Sequence, residues 1–75
     1  MADAVVDTIG LNCPLPILRA KQALIRVPVG GTLEILATDP NSVDDFEWFC
    51  RLSGHLLAEF SSENGVYRFV IKRSL

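Results

Sequence analysis

Cys13, Cys50 and His55 carry most of the reactive chemistry this chain offers. Cys13 stands in Asn12-Cys13-Pro14-Leu15-Pro16, directly ahead of an apolar stretch with helical spacing. Proline fits a helix only in its first turn, where no intrahelical N–H bond is lost. The spacing therefore predicts a helix that begins at Pro14, with Asn12 or Cys13 at its N-cap. Unpaired backbone N–H groups and the positive end of the helix dipole converge at such a position. They stabilise a thiolate or a persulfide anion, so the thiol pKa is expected to fall from about 8.5 toward neutrality. Pro14 and Pro16 stiffen the turn and hold the sulfur outward. On the residues alone two readings stand: a nucleophilic thiol, or a small N-cap residue followed by two helix-starting prolines.

Cys50 reads differently. It falls among Val43, Phe46 and Phe49 on one face of a second predicted helix, where free cysteine behaves as a small hydrophobe. Core filling is expected there in preference to a Cys13–Cys50 redox pair. His55 follows Gly54 and is expected to satisfy local backbone, not to serve as a base for Cys13. Cys13, Cys50 and His55 lack a fourth ligand and any short-range spacing, so no metal site is expected. Two cysteines without CxxC spacing make neither a disulfide scaffold nor a zinc site.

The elements that must position these residues follow from periodicity. Ala4-Val5-Val6-Asp7-Thr8 is a short β-prone run closed by Gly10. From Pro14 to Arg26, Ile17, Ala20 and Leu24, with Leu18 and Ile25, recur at helical intervals. Thr32–Thr38 is apolar enough for a central strand. Asp39-Pro40-Asn41-Ser42 opens the second helix, with Ser42 and Asp45 at capping-box spacing and Gly54 as its C′ residue. Val43, Phe46, Phe49, Cys50 and Ser53 mark the inner face of this helix, and Asp44, Glu47 and Arg51 its outer one. His55–Ser61 and Val66–Lys72 are two further strands. Asn64-Gly65 between them is a hairpin signal, in a loop of two or more residues. The order β-α-β-α-β-β with right-handed crossovers gives an α/β (α+β) two-layer sandwich, with two helices on one face of a four-stranded mixed sheet.

Size and charge narrow the function. Seventy-five residues make one small domain, 1–75, which at this length buries only about 60% of its unfolded surface. The 49% hydrophobic content must therefore serve one core. Seven Lys+Arg against nine Asp+Glu give a net charge of −2. A nucleic-acid binder shows the opposite balance, so no direct contact with nucleic acid is expected. Trp48 and Phe60 are single aromatics without basic interleaving, which does not make a base-stacking platform. No apolar stretch reaches the roughly 20 residues of a membrane span. The acidic Met1-Ala2-Asp3 start is unlike a signal peptide, which predicts a cytoplasmic protein.

The run Asp7-Thr8-Ile9-Gly10-Leu11-Asn12-Cys13-Pro14-Leu15-Pro16 resembles the signature of the TusA-type (SirA-like) sulfur-carrier family, whose mark is Gly-Leu-x-Cys-Pro-x-Pro. The likeness continues through Gly31-Thr32-Leu33, Thr38-Asp39-Pro40, Asp45, Phe49-Cys50, Gly54-His55 and the closing hairpin, so it spans nearly the whole chain.

The resemblance implies a carrier of sulfane sulfur, a sulfurtransferase whose acceptor cysteine falls on Cys13. Asn12, Pro14 and Pro16 complete the motif around it. The implied donor is a protein, a cysteine desulfurase or a rhodanese, and the implied acceptor is a DsrE-like or similar protein. The relay ends in tRNA thiolation or in dissimilatory sulfur oxidation. Its pyridoxal phosphate belongs to the desulfurase, and no cofactor is expected on this chain. Some members carry an acidic residue between the two prolines, where this chain has Leu15. That apolar side chain suits a greasier docking surface, and it lies outside the Ile17, Ala20, Leu24 stripe, so it is expected at the surface. Leu15 and Arg19 are docking candidates, although Arg19 and Lys21 also read as plain solvated charge. A monomer is expected of a carrier that must hand its sulfur over. The competing function is a regulatory or protein/RNA interaction module in which Cys13 is incidental.

Overall fold

Alternate residues of an extended strand face opposite ways, and Leu33, Ile35 and Ala37 accordingly lose all their solvent exposure while Glu34 and Leu36 between them stay half-exposed. This strand is β2, Thr32–Ala37, in a computed structural model that describes residues 2–75. Of the acidic start, Met1 lies outside the described residues. The remaining elements are β1 (Ala4–Thr8), α1 (Leu15–Leu24), α2 (Ser42–Ser53), β3 (Leu56–Glu63) and β4 (Val66–Lys72).

The sheet order is β1-β2-β4-β3. β1 runs parallel to β2 with Val6 opposite Ile35, and β4 is antiparallel to both β2 and β3. Both helices cover one face of this mixed sheet, as the element order predicts. Phe69 and Ile71 of β4 point to that face and are fully buried. Phe46 of α2 packs on Phe69 with ring centroids 4.6 Å apart. Ala20 and Leu24 bring α1 into the same core. On the opposite face Arg68 bridges Glu34 at 2.8 Å and Glu59 at 3.2 Å.

Several boundaries differ from the sequence reading, each for a local reason. α1 starts at Leu15 with Pro14 as its N-cap, so neither Asn12 nor Cys13 holds that position. Its far end stops at Leu24, not Arg26, because the Arg73 guanidinium takes the carbonyls of Ile25 at 3.1 Å and Val27 at 2.6 Å. Leu18 and Ile25 remain exposed. The capping box of Ser42 and Asp45 does not form. Asn41 is the N-cap of α2, Ser42 is already helical, and its hydroxyl donates to the Asp39 carbonyl at 2.6 Å. Thr38 leaves the strand because its hydroxyl accepts the Gly10 N–H at 2.9 Å. β3 begins one residue later and runs two further than expected, with an irregularity between Leu57 and Glu59. The Asn64-Gly65 loop has two residues, both at positive φ (53° and 79°), the geometry of a tight hairpin. No helix among the described residues is long and apolar enough to cross a membrane.

Candidate functional site

The segment between β1 and α1 is fastened at several points. Gly10 N–H reaches Thr38, Leu11 N–H reaches the Thr8 carbonyl at 3.1 Å, and Leu15 N–H reaches the Asn12 carbonyl at 2.9 Å. The Cys13 amide donates to Asp39 Oδ2 at 2.6 Å. Asp39 Oδ1 accepts the Asn41 N–H at 3.0 Å, and its carbonyl accepts the Ser42 N–H at 2.9 Å. One carboxylate thus ties the cysteine loop to the start of α2. The Cys13–Pro14 peptide bond is cis.

Cys13 is exposed at the end of a groove of about 600 Å³ that runs between the two helices. Pro14, Ile17 and Lys21 of the first helical segment form one wall, and Asp45, Trp48, Phe49, Leu52 and Ser53 of α2 form the other. Trp48 is 57% exposed and Leu52 79%, so much of the apolar lining faces solvent. The Lys21 ammonium sits 5.8 Å from the centre of the Phe49 ring, and the Arg51 guanidinium 5.4 Å from that of Trp48.

The electrostatics correct one expectation. The Cys13 thiol is held above its ordinary pKa, chiefly because the Asp45 carboxylate faces it as a hydrogen-bond acceptor, with some burial and the charges of Asp45 and Asp39 adding to the effect. The expected fall toward neutrality does not occur. Cys13 lies outside the helix, one residue before the N-cap, and the carboxylates of Asp45 and Asp39 act on its thiol. Cys50 is 5% exposed in the core, and its burial pushes the thiol up to about 11.

The structure separates the residues singled out from the sequence. Cys13 and Pro14 line the groove together. Asn12 is exposed and contributes its carbonyl to the turn, while Pro16 is a buried residue in the first turn of α1. Leu15 is 41% exposed beside the motif. Arg19 does not share the groove; it lines a separate concavity with Gln22, Arg26 and Val6, whereas Lys21 lines the groove that also holds Cys13. Cys50 packs in the core and does not reach Cys13. His55 accepts the Ser74 N–H on Nδ1 at 3.0 Å, a backbone role away from the thiol. Among the described residues no three His, Cys, Asp or Glu side chains are grouped to hold a metal ion. Sequence reasoning missed Asp39 as a tether, Asp45 as the carboxylate facing the thiol, and Trp48 and Leu52 as groove wall. The helical interval from Asp45 to Trp48, Phe49 and Leu52 was the available signal.

Comparison with known proteins bears on the fold and the family. Residues 4–73 match the family model described as Sulfurtransferase TusA. The sulfur carrier protein TusA of Allochromatium vinosum is 49% identical over 72 residues, covering 96% of this chain and 95% of the relative. That of Pseudomonas putida is 37% identical over 71 residues, covering 95% and 89%. The crystal structure of a SirA-like protein from Desulfitobacterium hafniense superposes with a TM-score of 0.83 at 27% identity, over 96% of this chain and 99% of the other. An exposed thiol on a two-layer α+β fold, set among these relatives, defines the class as the sulfur carriers of SirA-like fold. Within that class the chain belongs to the TusA family.

Proposed function

We propose that this chain carries sulfane sulfur as a persulfide on Cys13, taking it from one protein and passing it to the thiol of the next. The observation that carries this reading is the exposed Cys13 thiol on a loop fastened to both helices, open to a groove that a partner segment can enter. In loading, the Cys13 sulfur attacks the outer sulfur of a donor persulfide. The new S–S bond forms as the donor's S–S bond breaks, and the donor cysteine leaves with the electron pair. The Cys13 proton passes to solvent or to the departing thiolate. Handover repeats the exchange with the carrier's Cys13 as the leaving group. A thiol above its ordinary pKa is a slow nucleophile in isolation and a poor leaving group, so both half-reactions depend on what a docked partner does to the surroundings of Cys13.

The donor is a cysteine desulfurase or a rhodanese and the acceptor a DsrE-like or similar protein, in tRNA thiolation or dissimilatory sulfur oxidation. The chain works as one unit, as a monomer, in the cytoplasm, and its turnover as an enzyme is confined to this transfer. The test is intact mass after incubation with a desulfurase or a rhodanese donor. The wild type gains one sulfur atom and Cys13→Ser gains none. An unchanged wild-type mass with both donors would favour the interaction-module reading instead.

A further inference from the structure

Two carboxylates lie beside Cys13, and they are not equivalent. Asp39 is fully engaged, since each of its oxygens accepts a backbone N–H. Asp45 is half-buried in the groove wall, and among the described residues its carboxylate enters no ion pair. Neither nearby cation pairs with it: Lys21, in the same groove, lies over Phe49, and Arg51 lies over Trp48 and pairs with Glu47 at 3.6 Å. An acidic residue in the first turn suits the helix dipole, but the exposed Asp44 next to it meets that need without touching the groove. The groove thus presents one carboxylate that is not ion-paired, Asp45, on the lining it shares with Cys13 and Lys21, among apolar walls of Ile17, Trp48, Phe49 and Leu52.

A carboxylate beside a thiol keeps the proton on it, and a cation brought against that carboxylate cancels the effect. We propose that Asp45 is a specificity-determining residue for sulfur exchange, selecting partners that carry a Lys or Arg beside their reacting sulfur. The proposal rests on the carrier reading of Cys13 and names the chemistry of its partner. A basic side chain in the groove neutralises Asp45, and the Cys13 thiol then ionises more readily and attacks. Without such a partner the thiol stays protonated and is spared stray oxidants.

The experiment uses two short synthetic peptide persulfides as donors, identical except for lysines or glutamates flanking the cysteine. The rate at which the folded chain gains sulfur on Cys13 is followed by intact mass. The wild type is expected to prefer the lysine peptide by about fivefold, the scale of one solvated charge pair at contact distance. Asp45→Asn, which keeps the shape of the side chain, should abolish that preference and raise the iodoacetamide reactivity of Cys13 at neutral pH. Asp44→Asn should keep the preference. Equal rates for the two peptides in the wild type would overturn the proposal, as would a preference that survives Asp45→Asn or is lost equally in Asp44→Asn. Sulfur transfer without discrimination overturns the proposal and leaves the carrier reading standing, whereas no transfer from either peptide overturns the proposal, and the carrier reading falls only when the desulfurase and rhodanese donors fail as well.

Discussion

Asp39 holds Cys13 by its backbone: Oδ2 accepts the Cys13 amide at 2.6 Å while Oδ1 accepts the Asn41 amide at 3.0 Å. The sulfur-bearing loop and the start of α2 are therefore positioned by one side chain. Asp39→Ala removes both bonds and is expected to cost about 1–2 kcal/mol, as losing a charged cap does. Urea denaturation gives that number. A transfer assay on the folded variant should also show slower sulfur handover, because the loop no longer fixes the angle of Cys13 to the groove. Unchanged handover would mean that the loop's other fastenings suffice.

The two thiols should differ in their alkylation profiles. Cys13 is exposed and its pKa is raised by Asp45, so its rate with iodoacetamide should climb with pH and reach its plateau only above the ordinary thiol range. Replacing Asp45 with Asn removes the acceptor and the charge, which moves the profile to lower pH. Cys50, buried and with its thiol near 11, should stay unmodified in the folded protein throughout. Equal native rates for both cysteines, read by peptide mapping, would contradict the burial assigned here.

Leu15 is exposed in the first turn of α1, next to the motif but outside the groove lining. Leu15→Asp should leave persulfide loading from a small sulfane donor nearly unchanged and weaken handover to a protein acceptor, since the loss falls on contact area. Loading and handover that decline together would show that the residue acts on the thiol itself.

Phe46 sets the core on which α2 rides. It is fully buried and packs its ring, tilted, against Phe69, so Phe46→Ala should cost about 3–5 kcal/mol. Against a total of about 5–15 kcal/mol for a domain, that brings the thermal midpoint down by more than any surface substitution considered above. Calorimetry checks it.

Local pattern made most of the fold legible. The bounds of β1 and β4 and the Gly54 end of α2 match their sequence signals, because period-2 and helical apolar spacing, Gly54 and Asn64-Gly65 are signals that neighbouring residues supply. Long-range contacts set what was not legible. Thr38 reads as strand, yet its hydroxyl serves Gly10, 28 residues away. Cys13 was legible as an exposed thiol, but the sign of its pKa shift was not. That sign depends on Asp45, which only the packing of α2 against α1 brings to the sulfur. Arg19 and Lys21 are two residues apart on one helix, and only the position of α2 decides that Lys21 faces the groove.

The end of α1 is the plainest case of such remote control. Arg73 lies beyond β4, and its guanidinium donates to the carbonyls of Leu24, Ile25 and Val27 at 3.4, 3.1 and 2.6 Å, adding to the Val27 N–H that Leu24 already accepts and serving carbonyls at the end of the helix. Its Nε also donates to the Leu75 carbonyl at 2.7 Å. Arg73→Ala should free all of these at once, at a cost of about 1–3 kcal/mol. Arg73→Lys should recover only part of the loss, because an ammonium cannot reproduce the planar fork. Hydrogen exchange locates the effect: the amides of Arg26 and Val27, bonded to the Ala23 and Leu24 carbonyls, should lose protection first. The Cys13 loop lies at the other end of the helix and should keep its alkylation rate. A loss of protection spread evenly over the sheet would instead make Arg73 a contributor to global stability and not the device that ends α1.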